Sequence, residues 1–155
     1  MTMTPQELSD RFEIQDLLVD YAHAIDTKNW AALDDVFTDD AFIDYSEMGG
    51  AKGNLEEIKE FLAAAMPMFP HTQHLIANLQ VRLDGDEGTG RIMCHNPQVM
   101  DIDGERKIFF LGLWYVDKYV RTPAGWRIKE RVEEKGWAYN LPEGLVPLLG
   151  DIEGS

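Results

Sequence analysis

Two side chains of this sequence are of the kinds that move protons and stand where they could meet. Asp26 closes the stretch Asp20-Tyr21-Ala22-His23-Ala24-Ile25-Asp26, and His74 lies in His71-Thr72-Gln73-His74-Leu75-Ile76. Asp26 ends a segment of helical apolar spacing and falls near its inward face, the face that also carries Tyr21. A carboxylate there requires a partner, because desolvating an unpaired charge is costly and drives its pKa up. An imidazole supplies one. A carboxylate on Nδ1 of a histidine fixes the tautomer and makes the other ring nitrogen more basic, able to take an acidic C–H proton or polarise a departing hydroxyl. A tyrosine hydroxyl nearby could donate to a carbonyl or leaving oxygen and stabilise enolate-like charge. Elimination or isomerisation by this route calls for no cofactor. Each residue also has a plainer reading: Asp26 as a helix-end residue bonding backbone amides, His74 as a hydrogen-bonded core histidine.

The remaining histidines add less. His23 lies a turn from Val19 and Thr27, on the surface or edge, and His71 follows Pro70 in a loop-like context. His95, after Cys94 on a strand, faces either a cavity or solvent, according to a parity that the sequence leaves unanchored. Asp26, His74 and His95 together would have the ligand types of a two-histidine, one-carboxylate metal site. No metal-binding spacing accompanies them, and no metal is expected. No phosphate-binding glycine motif or nucleophile elbow supports a nucleotide or hydrolase reading.

The elements that must position these groups follow from patterning. With 155 residues and 45% hydrophobic content, the chain is expected to form one domain over residues 1–155, with an ordered core over about 5–140. Thr4-Pro5-Gln6-Glu7 has the form of a capping box, opening a helix whose stripe is Leu8, Phe12, Leu17, Leu18, Tyr21, Ala22 and Ile25. A short second helix over 29–36 buries Trp30, Leu33, Val36 and Phe37. A strand over 41–45 precedes a glycine-rich loop, and Asn54-Leu55-Glu56-Glu57 caps a third helix ended by Pro67. From His71 the period becomes two, with strands expected over 71–83, 89–101, 106–120 and 125–138, and an irregular tail from Leu141. Three N-terminal helices followed by a four-strand meander make an α+β fold, helices packed on a strongly curved, mostly antiparallel sheet. Such a cone holds large side chains or a ligand. Tyr21, Trp30, Tyr45, Met68, Phe69, Trp114 and Trp137 are its expected interior, a lining suited to a small hydrophobic molecule. Strict alternation places Arg131 with Arg127 and Lys129, on the hydrophilic face, unless a bulge intervenes.

Charge and cysteine usage narrow the partners. A formal charge of −14, from 28 acidic and 14 basic residues, argues against nucleic acid and anionic membrane surfaces. The lone Cys94 precludes an internal disulfide and suits a reducing cytoplasm, and no secretory signal or long apolar run is evident. A cytoplasmic, non-membrane protein is expected. Phe109, Phe110, Leu111, Trp114, Tyr115, Val116 and Tyr119 cannot all enter one cone, which points to a homodimer or higher homo-oligomer.

The order of elements, with Arg11-Phe12-Glu13-Ile14-Gln15-Asp16-Leu17, Asp26-Thr27-Lys28-Asn29-Trp30 and Phe37-Thr38-Asp39-Asp40-Ala41, resembles the SnoaL-like branch of the nuclear-transport-factor-two-like superfamily. That resemblance implies a cystatin-like, cone-shaped roll. It also implies roles: Asp26 and His74, 74 − 26 = 48 residues apart, match the catalytic Asp and His of the family's dehydratases and of hexachlorocyclohexane dehydrochlorinase. Tyr21 resembles a site Tyr of bile acid dehydratase, Tyr45 one of scytalone dehydratase, and Arg131 an Arg of the dehydrochlorinase. Trp30, His95 and Trp114 are candidate substrate contacts, although Tyr45 and Trp114 also suit an aromatic core. The second catalytic His and the Asn of scytalone dehydratase have no clean counterpart: His95, Asn96 and Asp101 lie out of register and Leu111 is apolar. The function so implied is a cofactor-independent, dehydratase-like lyase or isomerase acting on a hydrophobic cyclic or aromatic molecule. The alternative is a non-catalytic binding protein or the accessory subunit of an aromatic-ring oxygenase.

Overall fold

In the computed structural model, which describes residues 2–150, the first helix, α1 (Pro5–Asp26), starts on the expected capping box. The Thr4 hydroxyl accepts from the Glu7 N–H while the Glu7 carboxylate accepts from the Thr4 N–H. It stops for an equally local reason. Lys28 takes the left-handed conformation (φ 56°), its N–H donates to the Ile25 carbonyl, and the Asn29 N–H donates to the Ala24 carbonyl. This pair of bonds is a Schellman ending, and it fixes Asp26 as the final helical residue.

The apolar stripe holds from Leu17 to Ile25 but not before. Leu8 and Phe12 are 46% and 64% exposed, and Asp10 and Ile14 are buried instead. Asp10 accepts both terminal nitrogens of Arg121 and the Trp126 indole N–H, which offsets its desolvation. Arg121 is the main reason its carboxyl is pushed down to about 2.

The second helix is a 3-10 segment, Trp30–Asp35, and strand β1 (Phe37–Asp44) begins four residues earlier than expected. The glycine-rich stretch contains a 3-10 turn, Ser46–Met48, and a short strand β2 (Lys52–Asn54), before α2 (Leu55–Ala65) starts on a second capping box at Asn54. After a turn at Met66–Met68 come β3 (His71–Thr72), β4 (Leu75–Asp84), β5 (Glu87–Ile102), β6 (Glu105–Thr122) and β7 (Gly125–Tyr139). The tail is more ordered than its composition suggests. It forms a 3-10 turn, Glu143–Leu145, and a short helix α3 (Val146–Leu149) with Leu149 buried.

All seven strands form one sheet in the order β2-β1-β7-β6-β5-β3, with β4 also on β5. Pairing is antiparallel except between β1 and β7. The helices cover the concave face, so the fold is the expected α+β cone. Two bulges decide which side chains of the site enter it, and a third, at Gly136 between the Leu113–Lys135 and Gly112–Trp137 pairs, turns Trp137 outward. Between the Ala77–Met93 and Gln80–Arg91 pairs, β4 has two residues where β5 has one, and Asn78 is left-handed (φ 48°). On β7, Lys129 is the extra residue between the Ile128–Tyr119 and Glu130–Lys118 pairs. A one-residue insertion reverses which face every later side chain meets. Trp126 and Ile128 therefore point inward, and so does Arg131.

Two expected interior residues lie on the other face. Trp114 carries the Arg91 guanidinium at 4.2 Å, and Trp137 is partly exposed over Gly112, where a Cβ would collide with the indole. Both follow the outward parity of Phe110 and Val116 on β6 and of its partners on β7. Among the described residues no helix is long and apolar enough to cross a membrane.

Candidate active site

The end of α1 and the gap between β3 and β4 bring Asp26 and His74 together. His74 Nδ1 lies 2.6 Å from Asp26 Oδ1, and the His74 backbone N–H donates to Oδ2 at 3.0 Å. The Thr72 hydroxyl adds a third bond to Oδ1 at 2.9 Å. Burial would raise the Asp26 carboxyl, but the His74 ring and backbone and Thr72 together outweigh it and hold the group below its ordinary value. An ionised Asp26 makes Nδ1–H the donor and leaves Nε2 with its lone pair. On the other side of the ring stands Asn96, whose Nδ2 is 3.1 Å from Nε2.

Register explains the encounter with Asn96. Thr72 pairs with Gln98 and Leu75 with His95, so His74 falls opposite Asn96 and shares its inward face. Asn96 Oδ1 is buried without a hydrogen-bond partner among the described residues. Amide oxygen and nitrogen are interchangeable by a half-turn. Placed as it is, the amide donates to a neutral ring; turned over, Oδ1 would accept from a protonated one. One side chain can thus serve both states of His74.

His74 and Asn96 form part of the wall of a cavity of about 260 Å³. Apolar groups from α1, α2 and the concave sheet make most of the rest, including Ile25, Phe61, Leu62, Phe69, Phe109 and Leu111. Leu145, Leu148 and Leu149 of the C-terminal segment close one side. Among the described residues no tryptophan lines it. Tyr21 and Tyr45 both reach it, their hydroxyls 2.6 Å apart. Since one hydroxyl donates to the other, the second keeps a hydrogen for a ligand. Burial pushes Tyr21 up to about 12, against the pull of Arg131, and Tyr45 up as well, so both stay neutral.

Arg131 stands behind this pair and does not touch the cavity. It is fully buried, bonds both Asp117 oxygens at 2.8 and 2.7 Å, and lies between the Tyr21 and Tyr115 rings at 4.1 and 4.0 Å. Tyr119 donates a further bond to Asp117. The arrangement makes Arg131 a support for Tyr21, not a ligand contact. Trp30 packs against the core from outside the cavity, and Trp114 is on the convex face. His95 is exposed there too, edge-on to Trp137, so Asp26, His74 and His95 do not converge. Asn96, out of register by simple strand counting, and Glu133, inside a charged run, carry no clear signal in the sequence. Glu133 is half-buried in the cavity wall, beyond Arg131 on β7.

A second, more open depression of about 490 Å³ lies at the hairpin end, among Arg82, Glu87, Lys118, Lys129 and Glu130. It contains none of the groups above and no carboxylate–histidine pair.

A part-buried Asp–His pair and two buried tyrosines stand at an apolar cavity within an α+β cone, side chains of the kinds that proton transfer uses. The chain belongs to the SnoaL-like domain family, which matches residues 6–132. It is 50% identical over 129 residues to the uncharacterized protein Rv2910c of Mycobacterium tuberculosis, a match spanning 83% of this chain and 87% of that one. Among solved structures, a candidate scytalone dehydratase of Novosphingobium aromaticivorans superposes with a TM-score of 0.81, at 21% identity over 99% of both chains. A type 2 hexachlorocyclohexane dehydrochlorinase, LinA, gives 0.75 at 21% identity, over 88% of this chain and 92% of that one. At such identities the likeness is one of fold.

Proposed function

We propose that the protein is a cofactor-independent lyase of the dehydratase type. Its substrate would be a hydrophobic cyclic or aromatic molecule carrying a carbonyl-activated C–H and an oxygen leaving group. The observation that carries this reading is the Asp26–His74 pair, 2.6 Å apart, at the wall of an apolar cavity. Asp26 holds the ring in the tautomer that presents Nε2 as base, and compensates the charge that forms when Nε2 takes the carbon's proton. The free hydroxyl hydrogen of the Tyr21–Tyr45 pair donates to the carbonyl oxygen as enolate charge builds there. Rotation of the Asn96 amide offers Oδ1 to the protonated ring. The names of the two solved neighbours, a dehydratase and a dehydrochlorinase, agree with an elimination.

One observation favours a non-catalytic binding protein instead: Asn96 already occupies Nε2. Turnover separates the two. Aryl-substituted β-hydroxy ketones, whose dehydration to the conjugated enone is followed by absorbance, should be converted by the wild type. Asp26→Asn should slow conversion by about 100-fold or more, the usual contribution of a general base. Binding of the same ketones without turnover, unaltered by Asp26→Asn, would leave the binding reading in possession.

A further inference from the structure

Glu133 is a carboxyl group placed where a solvated face would be expected, in the run Glu130-Arg131-Val132-Glu133-Glu134-Lys135. The Lys129 bulge turns it inward, opposite Tyr115 across the sheet and beside the end of β1, where Tyr45 follows the Asp44–Val132 pair. It lines the same cavity as His74, Tyr21 and Tyr45. Among the described residues it has no hydrogen-bond or ion-pair partner, unlike Asp10, Asp26 and Asp117, each of which is held by several donors. Arg131 does not bond it: Nε and Nη2 hold Asp117 and the guanidinium is stacked between two rings, while its buried Nη1 makes no hydrogen bond among the described residues. A carboxyl unpartnered in an apolar wall is more stable with its proton than without, and a protonated carboxyl is a donor.

We propose that Glu133 is a neutral carboxylic acid that donates a hydrogen bond to an oxygen of the cavity's occupant. The site thereby takes apolar ring compounds bearing an anionic or departing oxygen, phenolates and β-hydroxy carbonyl compounds among them. Desolvation, opposed by Arg131 and reinforced by Asp44, pushes the Glu133 carboxyl up to about 8, in keeping with this. In the elimination, a part that rests on the lyase reading above, His74 takes the carbon's proton and the C–H electron pair becomes the new C=C bond. The C–O bond breaks, and the departing oxygen leaves as water with the Glu133 proton. Return of the His74 proton to Glu133 through solvent restores both groups.

The groups around Glu133 are Arg131 on its own strand, Asp44 and Tyr45 from β1, Tyr115 from β6, Cys94 from β5 and Tyr21 from α1. Burial raises the tyrosines and the thiol, and hydrogen bonds from Ser46 lower Asp44. None of these changes charge near pH 8, so a change there reports on Glu133. The experiment is equilibrium binding of para-nitrophenolate from about pH 7.5 to about pH 9.5, corrected for the probe's own ionisation. Binding coupled to one retained proton should weaken roughly twenty-fold over that range in the wild type. In Glu133→Gln, whose amide donates at every pH, it should be flat, and in Glu133→Leu it should be weak throughout. His74→Gln, whatever it does to the affinity itself, should keep the wild-type fall with pH. No binding to the wild type, or the same pH dependence in Glu133→Gln, overturns the proposal. Because nothing need be turned over, the two readings fail separately. A Glu133-dependent profile with no ketone turnover removes only the lyase, and turnover lost in Asp26→Asn with a Glu133-independent profile removes only the acid.

Discussion

Glu133 also sets an expectation for stability. Its carboxyl titrates at about 8 in the fold, against 4.5 for an unperturbed glutamate, so between those values the folded chain keeps a proton that the unfolded chain has released. Stability should be full below about pH 4.5, decline as pH rises towards about 8, and then level off. Glu133→Gln removes the decline. Relative to the wild type it should gain on the order of 2 kcal/mol between about pH 4.5 and about pH 8, a figure reduced from the full shift because the side chain is only half-buried. Urea denaturation at a series of pH values measures it, and parallel curves for the two proteins would contradict it. Tyr21→Phe is a second test. It takes away one of two bonded hydroxyls, and should cost about 1 kcal/mol while weakening any ligand that accepts from the pair. Lost stability with unchanged affinity would make Tyr21 purely structural. Of the candidate site, Asp26 and His74 were legible as a carboxylate at the end of an apolar helix face and a histidine at a strand start; Tyr21 followed from sharing that helix face, and Tyr45 only from the family resemblance. Asn96 and Glu133 were not. Counted from the Asp84–Glu87 end of the hairpin, without the extra residue at Asn78–Leu79, His74 would face Pro97. Counted without the Lys129 bulge, Glu133 would join its charged neighbours in water.

At the scale of elements, both capping boxes were readable because a cap is written within four residues, whereas the bulges depend on how two distant strands settle against each other. The start of α1 misled because Leu8 and Phe12 are out of phase with the rest of the stripe. Nine residues at about 100° each set Phe12 about 180° from Tyr21, so Asp10 and Ile14 take the inward face and Asp10 meets Arg121 and Trp126 there. The Schellman ending carries its own test. Lys28 holds a left-handed conformation that costs a side-chain-bearing residue roughly 1 kcal/mol and costs glycine little. Lys28→Gly should therefore raise the unfolding free energy by up to about 1 kcal/mol with Asp26 and His74 still paired, the Nδ1-protonated tautomer being visible by nitrogen-15 NMR. A loss of stability would mean that the Lys28 side chain matters more than its backbone.

For the whole molecule, the convex face of the sheet is where the unburied apolar area collects. Ile108, Phe110, Val116, Trp137 and Tyr139 stand exposed on adjacent strands, with Trp114 among them. Such a surface is expected to pair across a two-fold axis, burying on the order of 1,600 Å². Sedimentation at micromolar concentration should show a dimer, and Phe110→Asp should shift it towards monomer; a monomeric wild type would dispose of the idea. The segment that follows this face, from Leu141 to Leu149, crosses to the cavity and closes one of its sides. Its consequence is practical. Anything fused on the C-terminal side is tethered through the few residues after Gly150 to the closing segment, where bulk could prop it open or block entry. A purification tag before Thr4 sits at the opposite end of a 22-residue helix, about 33 Å from Asp26. Ligand screens run on C-terminally and N-terminally tagged protein should disagree, and the N-terminal version is the one to believe.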